Sequence, residues 1–273
     1  MDSFAPLAVP SAEAALLAVE QALGITITVR DLTGWLRTAE GGLLIDPRRT
    51  SHRRQEVCAR GFAPVACVQH CRHATSAALL RAGATCTTEC WKGVREVVVP
   101  LFRARTLQGY LFAGAWRGAW TPTGVWEAAW QRLPAWDAAR AAEVAAALRL
   151  LADGLWTAGE QARRAGEPTD RAGSIRAYLR THPTHGRAGL ARHLGLSPSR
   201  TSHVVQELCG CSLQHLVISE RVAAAQRLLA ESDDPVEQVG AAVGWPDAPH
   251  FSRIFRRVTG SSPGAWRLHH RQA

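Results

Sequence analysis

Two residue patterns in this 273-residue chain can carry chemistry beyond burial. The first is a set of thiols. Cys58, Cys67, Cys71, Cys86 and Cys90 cluster between positions 58 and 90. Cys67/Cys71 and Cys86/Cys90 are each four apart, which puts two side chains on one helical face or on either side of a turn. Four thiolates in two such pairs can hold zinc tetrahedrally or ligate an iron–sulfur cluster, with His70 or His73 standing in for a thiolate. The spacing is looser than that of a zinc ribbon, and free cysteine commonly serves as a small buried hydrophobe. Buried or ligand-lining thiols are therefore expected, and no cofactor is firmly expected. Zinc or iron–sulfur at Cys67, Cys71, Cys86 and Cys90 is the alternative. Ser, His and Asp occur, but nothing sets them together on a strand-to-helix nucleophile turn, so no enzyme is expected.

The second pattern is a polar helical face that occurs twice. Thr201, Val204, Val205 and Leu208 recur at i, i+3, i+4 and i+7, and Phe251, Ile254, Phe255 and Val258 do the same fifty residues later. Each set predicts one buried helical face. Gly210 and Gly260 follow as left-handed caps. A short helix precedes each copy, marked by Leu190/Leu194 and by Val239/Val243, with a turn beginning at Gly195 or Gly244. That is a helix-turn-helix pattern, twice. A helix is the right width for the major groove of double-stranded DNA, so the faces opposite the core become the candidate readers. On the first copy they are Ser199, Arg200, Ser202, His203 and Gln206. On the second they are Pro249, His250, Ser252, Arg253, Arg256 and Arg257. Gln and Arg suit paired bonds to base edges, whereas Ser, His and flanking Arg suit phosphate positioning. Asp247 is expected as an N-cap.

The elements that must position these residues fall into two regions. The polar stretch Gly159–Asp170 carries two glycines and a proline and reads as a boundary loop. It gives a sensory region over 1–165 and a DNA-binding region over 170–271, with helix-turn-helix units at about 187–208 and 236–259. Before the boundary, Ser11–Leu23 reads as an amphipathic helix, Ile25–Val29 as a strand, and Asp31–Gly34 as a hairpin turn. Glu96–Phe102 and Leu107–Phe112 read as a second hairpin. Helix is expected from about Val68 to Leu80 and, in one long Ala/Trp/Leu-rich run, from Gly124 to Ala162. Trp116, Trp120, Trp126, Trp130 and Trp136 are expected as core or dimer contacts. After the boundary every segment has helical period. The fold class is thus an α+β N-terminal domain followed by an all-α domain.

Composition sets the limits. With 47% hydrophobic and 20% charged residues the chain is that of a globular protein, which excludes disorder and collagen-like repetition. It has no long uncharged apolar run and no basic leader, so a cytoplasmic protein without a membrane partner is expected. The formal charge is +9, and Lys92 is the only lysine among 32 basic residues. Guanidinium groups suit phosphate and base edges. Eight of the eleven histidines also follow Pro168.

From about Asp170 to Arg271 the chain resembles the AraC/XylS family of transcription regulators. The resemblance runs through Leu190-Ala-Arg-His-Leu-Gly-Leu-Ser-Pro-Ser-Arg200 and Arg221-Val-Ala-Ala-Ala-Gln-Arg-Leu-Leu229. It continues in Val239-Gly-Ala-Ala-Val-Gly-Trp-Pro-Asp247, His250-Phe-Ser-Arg-Ile-Phe-Arg-Arg-Val-Thr-Gly260 and Ser262-Pro-Gly-Ala-Trp-Arg267. It implies two helix-turn-helix units joined by one long helix and reading successive major-groove faces of one DNA site. Val205 stands where an aromatic is usual and Gly240 where a small helix-former is usual; the glycine should weaken its helix by about 1 kcal/mol relative to Ala.

The N-terminal half is similar to the PocR-type sensory domain. The similarity rests on Ile25-Thr-Ile-Thr-Val-Arg-Asp31, the spaced Cys58 and Cys67, Cys90-Trp-Lys-Gly-Val-Arg-Glu-Val-Val-Val-Pro-Leu101, and Gly109-Tyr-Leu-Phe-Ala-Gly-Ala-Trp116. It implies a PAS-like antiparallel sheet enclosing a pocket for a small organic effector, with Cys67, Cys90, Trp91 and Trp116 as ligand-binding candidates and Trp91-Lys92 near the entrance. Together the resemblances imply a ligand-responsive, sequence-specific transcription factor. It would form a homodimer through the N-terminal domain and, if it is an activator, would contact RNA polymerase. The alternative is a cysteine- or metal-based redox or alkylation sensor coupled to the same DNA-binding domain.

Overall fold

The computed structural model describes residues 11–165 and 170–272. The chain divides into two compact units. One comprises Met1–Thr38, Gly42–Phe62 and Gln69–Ala162, the other Ala39–Gly41, Ala63–Val68 and Arg163–Ala273.

The first unit is built on a four-stranded antiparallel sheet. Helix α1 (Ala12–Leu23) starts at Ser11, whose hydroxyl accepts from the Ala14 amide at 3.2 Å, and stops at left-handed Gly24. Strand β1 (Thr26–Asp31) follows. Its expected hairpin is absent. The Asp31 carboxylate instead accepts from the amides of Thr33, Gly34, Trp35 and Leu36, which turns the chain away, and β1 pairs with β4. Then come α2 (Glu56–Ala59), α3 (Pro64–Val68), which is grouped with the other unit, a π-helical turn at Gln69–Ala74, α4 (Thr75–Ala82) and β2 (Cys86–Glu89). Strands β3 (Val94–Arg103) and β4 (Thr106–Arg117) form the second expected hairpin, closed by Ala104 and Arg105 at φ 48° and 65°. The sheet order is β1-β4-β3-β2.

Both faces of the sheet are covered. Val97, Val99 and Leu101 point into a core with α1 and α6, while Val98, Tyr110 and Phe112 point to Leu79 of α4. Two-sided covering explains why β3 reads as an almost unbroken apolar run. The long helix expected over 124–162 is two helices, α5 (Glu127–Gln131) and α6 (Ala138–Ala165). The break contains Pro134, which disfavours helix at the preceding residue and lacks an amide donor. Along α6, Ala141, Val144, Leu148, Ala152 and Leu155 make the buried stripe. Because α6 continues to Ala165, the first part of the expected boundary loop is helical; residues 166–169 lie outside the described residues.

The second unit is helical after the boundary: α7 (Arg171–Thr181), α8 (Gly186–Leu194), α9 (Pro198–Cys209), α10 (Leu213–Glu231), α11 (Val236–Ala242), α12 (Ala248–Thr259) and α13 (Pro263–Gln272). It holds two hydrophobic clusters. One joins Ile175, Leu179, Leu190, Val204 and Val205 to Leu213 and Leu216. The other joins Val239, Val243, Phe251, Ile254 and Phe255 to Val222, Ala225 and Leu229. Helix α10 thus contributes its first turn to one cluster and its later turns to the other.

Candidate nucleic-acid interface

The two helix-turn-helix units are assembled by the same local chemistry. In the first, α8 ends at Gly195 (φ 63°), and Ser197 caps α9 by accepting from the Arg200 amide. In the second, α11 leads to Gly244 (φ 88°), and Asp247 caps α12 by accepting from the His250 amide at 2.7 Å. Each second helix closes on a left-handed glycine, Gly210 or Gly260, whose amide donates to Gln206 or Arg256. Each is followed by a serine cap, Ser212 or Ser262. The burial pattern of residues 201–210 recurs residue for residue at 251–260.

That pattern corrects two expectations. Leu208 and Val258 end the apolar stripe in sequence, yet they are 40% and 49% exposed. Each lies in the last turn of its helix, where the expected periodicity continues but burial does not. Gly240 also plays a different part from the one expected. A Cβ there would lie 2.9 Å from Phe251 and 3.0 Å from the Trp245 carbonyl, so the missing side chain lets α11 approach α12.

Of the expected readers, Ser199, Arg200, His203, Gln206, Pro249, His250, Arg253, Arg256 and Arg257 are exposed, and Ser202 and Ser252 are half-buried. Ser202 also donates to the Pro198 carbonyl within its own helix. Six of these residues, Ser202, His203, Gln206, His250, Arg253 and Arg257, line one open groove of about 1000 Å³. Its wall also includes Arg187 from the first turn of α8, and Gln214 and Arg221 from α10, which the sequence reading missed. No Asp or Glu is among the lining residues. Four guanidiniums without a lining carboxylate make the groove attractive to a polyanion. The periodicity of α9 and α12 identifies their outer faces, but only the fold adds residues from α8 and α10.

The first unit rearranges the other candidates. Trp116 lines a cavity of about 480 Å³ together with Leu23, Gln55, Val57, Arg54, Arg132 and Arg140; Cys67, Cys90 and Trp91 are not among its lining residues. Trp91 packs edge-on against Trp126 at 5.2 Å. Lys92, expected near an entrance, is buried instead. Its Nζ donates to the carbonyls of Val57, Cys58 and Arg60 at 3.2, 3.1 and 2.7 Å and lies over the Trp91 and Trp126 rings. The tryptophans are unequal: Trp116 and Trp130 are buried, whereas Trp120 is exposed.

Among the described residues, no three His, Cys, Asp or Glu side chains form a group able to hold a metal ion, so Cys67, Cys71, Cys86 and Cys90 are not gathered into a ligand set. Burial pushes the Cys58 thiol well up and the Cys90 thiol to about 12. Both therefore favour the protonated form, which is a poor nucleophile. The buried polar centre found instead is His52 against Glu96, with Nε2 to Oε2 at 3.2 Å. Burial opposes the imidazolium, but the Glu96 charge and Cys71 outweigh it and raise His52 to about 10. Gln55 donates to both Glu96 and the Gly114 carbonyl.

The helix-turn-helix domain family model matches residues 190–269. Over these residues the chain is similar to that family. The arabinose operon regulatory proteins of Escherichia coli strain K12 and Salmonella typhimurium are each 39% identical to this chain over 80 residues. That is 29% of this chain and 27% and 28% of theirs, respectively. The MmsAB operon regulatory protein of Pseudomonas aeruginosa is 35% identical over 102 residues, 36% of this chain and 33% of that protein. The chain therefore spans about a third or less of the length of these relatives. No helix among the described residues is long and apolar enough to cross a membrane.

Proposed function

We propose that the chain is a ligand-responsive, sequence-specific DNA-binding transcription factor of the AraC/XylS type. Its DNA-binding domain occupies 170–271, and a PocR-like sensory domain occupies 1–165. The observation that carries the reading is the repeated burial pattern of α9 and α12, whose outer faces share one groove lined by four arginines and no acid. Helix α10, 19 residues long, spans about 28 Å at 1.5 Å per residue, comparable with the roughly 34 Å of one duplex turn. The names of the relatives, regulators of operons, support the same reading.

In this reading Gln206 and Arg253 contact base edges, while Arg187 and Arg257 sit against phosphate. The four-stranded sheet with helices on both faces supports a PAS-like sensory role. The cavity beside Trp116 combines apolar walls with Arg54, Arg132, Arg140 and Glu56, the arginines being paired with Glu20, Glu56 and Glu143, a mixed lining suited to a small organic effector. Effector binding, a homodimer through this domain and, if the protein is an activator, contact with RNA polymerase complete the proposal. An effector acts by binding two arrangements of the protein with different affinity.

Fragments selected from genomic DNA by the full-length protein supply the test. Gln206→Ala and Arg253→Ala should each weaken binding by about 1–3 kcal/mol and relax preference at particular base pairs. Arg257→Ala should weaken all sequences alike and make the salt dependence shallower by about one unit. Failure of the protein to enrich any sequence over random DNA would exclude the reading.

A further inference from the structure

The two readers can act on one site only if something fixes their separation, and one side chain contacts the entrance to the first helix-turn-helix and the turn of the second. Arg221 lies near the middle of α10. Its Nε donates to the Pro183 carbonyl at 2.7 Å, and its Nη2 points to the Thr184 carbonyl at 3.4 Å, both in the segment that leads into α8. From the opposite side of the same guanidinium, Nη1 donates at 3.0 Å to the carbonyl of Gly244, the turn residue between α11 and α12. The guanidinium also lies over the Trp245 ring, 5.5 Å from its centroid. Gly244 is suited twice to this contact. Its φ of 88° is a left-handed conformation, and a Cβ there would come within 2.8 Å of the Arg221 guanidinium.

We propose that Arg221 is the positioning residue that sets the spacing between the two DNA-reading helices, and hence which spacing of base sequences the protein accepts. This rests on the DNA-binding reading above. The physical reason is the fork of the guanidinium. It presents several donors in a fixed plane, so carbonyls bound to different donors are held at a fixed mutual angle. A lysine can retain the charge but not that geometry. The two hydrophobic clusters draw on different stretches of α10, so packing alone gives each reader a separate footing on the helix. Arg221 joins their loops directly.

The experiment uses the full-length protein and its Arg221→Lys and Arg221→Met variants. Two DNA probes are compared, the selected site and the same site with one base pair inserted between its two contacted segments. The insertion moves the second segment by about 3.4 Å and about 35° around the axis. The unsubstituted protein should discriminate against the insertion by about tenfold or more. Arg221→Met should reduce that ratio to within about twofold at an unchanged salt slope, with Arg221→Lys between them. Spin-labelled amino acids placed at exposed Glu207 and Arg256, read by pulsed dipolar spectroscopy without DNA, should give one narrow distance distribution that broadens in both variants.

An unchanged insertion ratio together with an unchanged distance distribution overturns the proposal. So does a uniform loss on both probes with a shallower salt slope, which would make Arg221 a phosphate contact. A protein that binds neither probe refutes the DNA-binding reading, whereas the distance distribution still tests the clamp itself.

Discussion

At the scale of single residues, the structure separates positions whose role is written locally from those whose role depends on a distant partner. Asp247, Gly210 and Gly260 were legible because cap chemistry is decided within a few residues along the chain. Gly240 was not. Helix propensity makes it a weak point, and alanine there should strengthen an isolated helix by about 1 kcal/mol. The packed protein should respond the other way, because the added methyl meets Phe251 at 2.9 Å and a backbone carbonyl at 3.0 Å. Gly240→Ala is expected to cost about 1–3 kcal/mol, the usual range for overpacking, in urea unfolding of the full-length chain. A stabilised variant would show that α11 and α12 can separate freely. Lys92 and Arg49 were equally hidden. Both are almost wholly buried, although charged side chains are ordinarily exposed, and no pattern in the sequence marks the carbonyls or carboxylates that receive them.

At the scale of elements, periodicity gave the helices of the second unit and the β3/β4 hairpin, since each has a regular apolar face. It failed where regularity is interrupted by a specific contact. Asp31 converts an expected hairpin into a capped turn, and Pro134 was masked by the Ala-rich stretch around it. The buried pair that joins the segment at His52 to β3 was invisible for a related reason: its partners are 44 positions apart in the chain. That pair gives the first unit a definite response to pH. The folded-state value of His52, about 10, lies above the ordinary histidine value of 6.5. Its stabilising contribution is therefore complete below about pH 6.5 and is lost as pH rises through about 10. His52→Gln should lower the melting temperature by several degrees at pH 6, and the gap from the unsubstituted protein should close as pH approaches 10. A gap that widens with pH would contradict the ionised pair.

At the scale of the whole molecule, each unit has hydrophobic clusters of its own, so damage to one core should be felt first within that unit. Buried Arg49 joins Glu13 and buried Glu20, and partly exposed Arg54 joins Glu20, in a network between α1 and the segment at 47–54. Arg49→Met removes one partner of Glu20, which keeps Arg54, and should cost about 1–3 kcal/mol. In calorimetry of the full-length protein the loss should fall on the first unit, while DNA affinity measured well below the transition stays unchanged. A parallel loss of affinity would show that the second unit depends on the first for its fold.

The tandem copies share a scaffold but differ in dress: one outer face carries a single arginine among serine, histidine and glutamine, the other three arginines beside serine and histidine. On the proposed reading such a polypeptide has a front and a back. Its target need not be a palindrome, and one copy of the chain lies along the duplex in a single direction. Reversing the target sequence beside a promoter would turn the bound DNA-binding domain end for end. Orientation, as well as occupancy, would then become something that a regulated gene can encode.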